Sequence, residues 1–189
     1  METGRKIGDG LVTMDKNLAF YQDNTDSLVE QYNSVSFESV HGDWLEFLPN
    51  SGNALDIGAG SGRDARYLSK HGLRVYAVEP VLSLMLAAQK NSSKHNITWY
   101  QDSLPNLDQV KLLKEQFDLI LLSAVWMHLS PNERAQSMQQ MSSLLNAGGR
   151  LVITLRHGTF DDAQNGPRHL RRAHVNHNFK VVGALMVRA

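Results

Sequence analysis

The chain has no cysteine among its 189 residues. That excludes disulfides, a thiolate nucleophile and any Cys-ligated metal site. No apolar run approaches the roughly 18 residues that cross a bilayer. The opening stretch METGRKIGDGLVTMDKNLAF has neither an apolar h-region nor a small-residue cleavage site. It reads as no secretory signal, and a cytoplasmic setting is expected. Repeats and low-complexity segments are absent too. Charge shows no overall excess, with 19 basic against 19 acidic residues. A metal set is also missing: His169, His174 and His177 have unconvincing spacing, and no Asp or Glu completes them. What remains is enough chain for one domain with a sizeable core.

The neutral total hides an asymmetry. From Arg150 onward there are seven Lys or Arg and two Asp or Glu, so the preceding part is acidic by the same margin. Four of the eight histidines also lie in this tail. A basic end can meet an anionic substrate or nucleic acid. A solvated basic helix explains the same composition.

Residues 15–48 predict helices, because Leu18, Tyr21, Leu28, Val40, Trp44, Leu45 and Leu48 recur at three- and four-residue steps. Pro49 and NSGN end that region. Strands and helices then alternate. Strands are expected at 54–57, 74–79, 97–101, 117–123 and 150–155, with NAGG turning the chain into the last. Helices are expected at 61–71, 81–90, 107–115 and 131–145, the first stopped by Gly72 and the last opened by Pro131. Apolar strands alternating with helices specify an α/β fold: a Rossmann-like, doubly wound, mostly parallel sheet with helices on both faces. Residues 1–48 would form an N-terminal helical cap and 53–189 the core of a single domain.

The segment LDIGAGSG places Gly58, Gly60 and Gly62 directly after a short strand ending in an acid, Asp56. Glycine is required where φ is positive or where another group lies against the backbone. Strand, bare turn and helix together hold adenosine-bearing ligands at the carboxyl ends of parallel strands. Glu79 ends the next strand and can accept both ribose hydroxyls. A nicotinamide dinucleotide would want G-x-G-x-x-G, but Arg63 and Ala65 stand where the third glycine is needed. Asp56 would also repel a diphosphate, whereas it suits an amino-acid ammonium.

With LDIGAGSGRDARYL, VYAVEP, WYQDSLP and FDLILLSAVWMHL in this order, the sequence resembles the class I S-adenosylmethionine (SAM)-dependent methyltransferases over about residues 20–160. Within them it is similar to small-molecule enzymes with an N-terminal helical cap, such as the tellurite-resistance and biotin-pathway methyltransferases. The resemblance implies SAM as cofactor and S-adenosylhomocysteine (SAH) as product. It implies Asp56 facing the methionine ammonium, with Gly58, Gly60 and Gly62 beneath methionine and ribose. Glu79 would take the ribose, and Pro80 and Leu84 would flank adenine. Asp102, with Ser103 beside it, would lie near the adenine amino group, and the Ser123 carbonyl would meet the ammonium and the methyl donor. Arg63 would reach the methionine carboxylate or an anionic substrate, or else pair with Asp64 or Glu79.

Methyl transfer is an in-line displacement, so holding the acceptor in line provides much of the rate. His128 sits past the fourth strand, with a pKa suited to a general base. Trp126 can wall the pocket and favour the sulfonium through its ring. Arg156 and His157 follow the fifth strand at the same edge, where Arg156 can clamp a carboxylate or phosphate. Tyr21 and Tyr32 belong to the cap, placed to close over donor or acceptor. SAVW stands where amino-methylating DNA enzymes carry an Asn-Pro-Pro-Tyr motif, which favours a small-molecule acceptor over nucleic acid and involves no membrane. A SAM-binding protein without transfer activity and an RNA methyltransferase using the basic tail are the alternatives. Beyond Leu155 the chain looks shorter than this family, with one strand expected at 179–187, and the exposed sheet edge would pair with a second copy in a homodimer.

Overall fold

A computed structural model describes residues 19–154. Its five strands are β1 (Asn53–Ile57), β2 (Arg74–Val78), β3 (Ile97–Tyr100), β4 (Phe117–Ser123) and β5 (Leu145–Thr154). They form one sheet in the order β3-β2-β1-β4-β5, with every pairing parallel. Strand order reverses beside β1, so the crevice at its carboxyl end is the switch point where such sheets bind ligands. No helix among the described residues is long and apolar enough to cross a membrane.

Alternation along the strands builds two cores. Leu55, Ile57, Val78, Ile120, Leu122 and Ile153 share one cluster with Val110, Met141 and Leu144. These last come from α5 (Asp108–Leu112) and α6 (Pro131–Leu144). Ala54, Val75, Ala77, Leu119, Leu121 and Val152 face the other way, against Phe37, Trp44 and Leu68. Those three belong to α2 (Phe37–His41), the 3₁₀ turn Gly42–Phe47 and α3 (Arg63–Lys70). Helices therefore cover both faces, as the doubly wound pattern requires. Asp56 shares its parity with Ala54 and so lies on the α2–α3 side.

The N-terminal helical region is divided into short helices. Residues 19–23 are helical, α1 spans Thr25–Asn33, and α2 and the 3₁₀ turn follow. Ser36 explains the restart, because its side chain accepts the Ser39 backbone N–H at 3.2 Å and caps α2. The helix expected at 107–115 shrinks to α5, since Leu107 and Lys114 both have positive φ and bracket it. β5 begins five residues earlier than expected: Leu145 already pairs with Phe117, and the register shifts across NAGG before Arg150 meets Leu119. Asp118 holds that segment, accepting from the Asn146 side chain at 2.8 Å and from the Asn53 backbone at 2.8 Å. The expected strand at 179–187, the basic tail and the homodimer edge lie outside the described residues.

Candidate functional site

The loop after β1 is shaped by its glycines. Gly58, Gly60 and Gly62 all have positive φ, of 74°, 53° and 74°. A Cβ on Gly58 would sit 2.4 Å from a Val125 methyl, so no larger residue fits there. The Gly58 and Ala59 N–H groups both donate to the Val78 carbonyl, at 2.8 and 2.9 Å, tying the loop to the end of β2. Gly60 presents its bare Cα side to the Tyr32 ring, 3.5 Å from where a Cβ would stand.

Asp56 is the penultimate residue of β1, 1% exposed; its carboxylate accepts the Ala65 backbone N–H, and its Oδ2 has no hydrogen-bond partner among the described residues. Burial, joined by the charge of Asp64, pushes its pKa well above the carboxylate range, while Arg63 pulls the other way. Glu79 lies at the end of β2. Its Oε2 accepts the Gly60 N–H at 2.9 Å and its Oε1 accepts the Val81 N–H at 3.0 Å. Burial raises its pKa against those two hydrogen bonds. Glu79 thus braces the glycine loop from the end of β2. Arg63 pairs with Asp64, Nε to Oδ1 at 2.6 Å, rather than with Glu79.

The cap closes over this loop. Asn33 Oδ1 accepts from Ser61 at 3.0 Å and from Arg66 at 2.6 Å. At the other end of α1, the Thr25 and Ser83 hydroxyls are 2.6 Å apart. Leu28 packs between Val81 and Leu84, with Tyr21 and Tyr32 beside them. Leu84 is therefore under α1 at the start of α4 (Leu82–Asn91), and the Pro80 carbonyl accepts from Gln101 at 3.3 Å. Tyr21 also meets His128 edge-on, with ring centroids 6.3 Å apart.

Asp102 follows β3, and its carboxylate caps α5. It accepts the N–H groups of Ser103, Asp108, Gln109 and Val110 at 2.7–3.2 Å. A contact from Asp102 to adenine has to compete with four backbone donors. Ser123 ends β4 opposite Thr154, half-buried. Trp126 and His128 lie in the 3₁₀ turn that follows. The Arg134 guanidinium sits over the Trp126 ring at 5.8 Å and donates from Nε to the Trp126 carbonyl at 3.3 Å. Arg156 and His157 lie outside the described residues. No cluster of three or more metal-capable side chains occurs among the described residues.

Glu79 therefore meets the glycine loop at Gly60, Tyr32 lies over the same glycine and shares an apolar cluster with Leu84, and Tyr21 meets His128 of the turn after β4. Sequence reasoning missed Asn33, Ser61 and Arg66, which fasten the cap, and the buried pair His41 and Asp64. Only the three-residue step from His41 to Trp44 hints at the last of these.

A family profile described as a methyltransferase domain matches residues 55–153. An uncharacterised methyltransferase of Bacillus cereus is 30% identical over 117 residues, covering 59% of this chain and 51% of that one. Another from Alkaliphilus oremlandii is 28% identical over 108 residues, covering 54% and 44%. The chain spans about half the length of the curated relatives it matches. Among solved structures, phosphoethanolamine N-methyltransferase 1 of Haemonchus contortus superposes with a TM-score of 0.64. It is 21% identical, covering 85% of this chain and 38% of its own. The DhpI complex with SAM and HEP gives 0.62 at 16% identity, covering 85% and 76%. These two share the fold. By the profile match over more than half of its length, the chain belongs to the methyltransferase-domain family.

Proposed function

We propose that the protein transfers the methyl group of SAM to a small-molecule acceptor, as a single domain with residues 1–48 serving as its cap. The observation that carries this is Asp56: a buried acid with an unpartnered oxygen beside a side-chain-free loop. A buried carboxylate with one oxygen unpartnered is costly unless a donor or cation completes it, and the ammonium of an amino acid is such a cation. The residues present thus fit the donor. When bound, SAM supplies an electrophilic methyl on a sulfonium.

In this reading Asp56 accepts the ammonium, and Arg63 faces the carboxylate. Glu79 accepts ribose hydroxyls with the lone pairs its two N–H partners leave. Pro80 and Leu84 wall the adenine side, with Asp102 and Ser103 at its rim and the Ser123 carbonyl near the methionine end. Tyr21, Tyr32 and Trp126 exclude water and orient the acceptor. His128, on the acceptor side, takes a proton where the acceptor must lose one. Arg156 and His157 bind an acidic group of the acceptor. The fold neighbours favour a small acceptor in kind, since the Haemonchus structure contains phosphoethanolamine.

Titration calorimetry with SAM, SAH and NAD is the first test, with binding of SAM and SAH but not NAD expected. Methyl release from labelled SAM over a panel of small acceptors and RNA then separates an enzyme from a binding protein. Binding of NAD in place of SAM would overturn the reading.

A further inference from the structure

His41 has no part in that chemistry, yet it is 0% exposed and both ring nitrogens are engaged. The Trp44 indole N–H lies 3.2 Å from His41 Nδ1. An indole nitrogen only donates, so Nδ1 accepts and the ring proton sits on Nε2. Nε2 therefore donates to Asp64 Oδ2, at 3.0 Å. The other oxygen of Asp64 accepts from Arg63 Nε at 2.6 Å. A relay of hydrogen bonds thus runs from the 3₁₀ turn through α2 to the first turn of α3. Phe37 fixes the imidazole from the side, 4.4 Å between centroids, and itself stacks on Tyr67 at 3.9 Å.

Apolar side chains of the same volume often fill such a site at no loss of stability, so a buried polar relay is weak evidence for stability by itself. The geometry here concerns Arg63. Its Nε is taken by Asp64, while its two terminal nitrogens make no hydrogen bond among the described residues, and its side chain is 19% exposed. The relay ends on the face of the sheet where Asp56 lies, and Arg63 acts on the Asp56 charge. An acid with an open oxygen and a guanidinium with an open end on the same face of the sheet together suit an α-amino-acid zwitterion.

We propose that His41 is a positioning residue for the amino-acid end of the donor: it holds Asp64, which aims Arg63 beside Asp56. This rests on the donor site proposed above. It makes the N-terminal helices part of donor recognition from beneath the glycine loop, apart from their place over it.

The test is titration calorimetry of the full chain with SAH and with 5′-methylthioadenosine, which keeps the adenosine and sulfur but lacks the amino acid. His41→Ala should weaken SAH about tenfold and leave 5′-methylthioadenosine within about twofold. His41→Gln, whose amide nitrogen reaches the Nε2 position, should recover most of the loss. The double variant with Arg63→Ala should bind SAH no more weakly than Arg63→Ala alone. Should His41→Ala fail to fold, Asp64→Asn keeps the volume and should show the same ligand pattern. Equal weakening of both ligands, or additive losses in the double variant, would overturn the proposal and leave His41 a packing residue. Wild-type protein that binds neither ligand would instead overturn the donor site itself.

Discussion

Asp56 and Asp64 lie on one side of the sheet with opposite energetic signs. The Asp56 pKa is raised in the folded state, chiefly by burial. The native state then holds that proton more tightly than the unfolded chain, so ionisation destabilises the fold as pH rises above the unfolded value of about 3.9. Asp64 is the reverse: burial alone would raise it, but the His41 hydrogen bond and the Arg63 guanidinium outweigh that and hold it below the usual range. Its stabilisation is complete above about pH 4 and fades as pH falls through the folded value. Asp56→Asn should therefore raise the melting temperature of the ligand-free protein at pH 7 and flatten its decline above pH 4. The same variant should weaken SAM about tenfold or more by calorimetry, losing a charge-assisted hydrogen bond. Unchanged stability together with unchanged affinity would remove Asp56 from the site. Glu79→Ala should lower both affinity and stability, each by about 1–3 kcal/mol, because it strips the Gly60 and Val81 N–H groups of their acceptor.

Elements depend on polar terminations that bridge distant segments. α5 has five residues and owes its start to Asp102. Asp102→Ala should cost about 1–2 kcal/mol of stability, the value of a lost cap. If its main role is the cap, SAM affinity should fall by less than threefold in the same variant. A large loss of affinity with unchanged stability would return Asp102 to the adenine contact. α6 begins on a capping box, in which Ser130 and Glu133 exchange side-chain-to-backbone bonds of 3.4 and 2.7 Å. That box fixes where the 3₁₀ turn carrying Trp126 and His128 must end.

For the whole molecule, α1 is tied down by contacts at both ends: Asn33 to the glycine loop, and Thr25 to Ser83. A segment held by a few polar contacts and one apolar seam opens more easily than the sheet it covers. Hydrogen exchange of residues 25–33 should be faster than that of β1 and β4 in the free protein, and it should slow when SAH binds. Asn33→Ala should speed SAH dissociation severalfold in stopped-flow measurements, with little change at the strands. Exchange in α1 that ignores the ligand would separate the cap from the site.

The strands and helices, the glycine loop and the two acids of β1 and β2 are legible in the chain itself, because they are local signals. Apolar runs, periodicity and left-handed turn residues act within a few positions, so their pattern is visible in order along the sequence. The pairing of Leu145 ahead of NAGG, the cap of Asp102 on α5 and the break before α2 escape such a reading, because each depends on hydrogen bonds to groups outside its own run of apolar residues. Spacing alone does not decide whether Arg63 pairs with Asp64 or with Glu79. Nor does it reveal His41 as a polar residue that orients others, since an i, i+3 step to Trp44 fits any helix face and Asp64 is 23 positions away. Only packing α2 against α3 on one face of the sheet brings an imidazole, a carboxylate and a guanidinium into line, since hydrogen bonds act over about 3 Å whatever the separation along the chain.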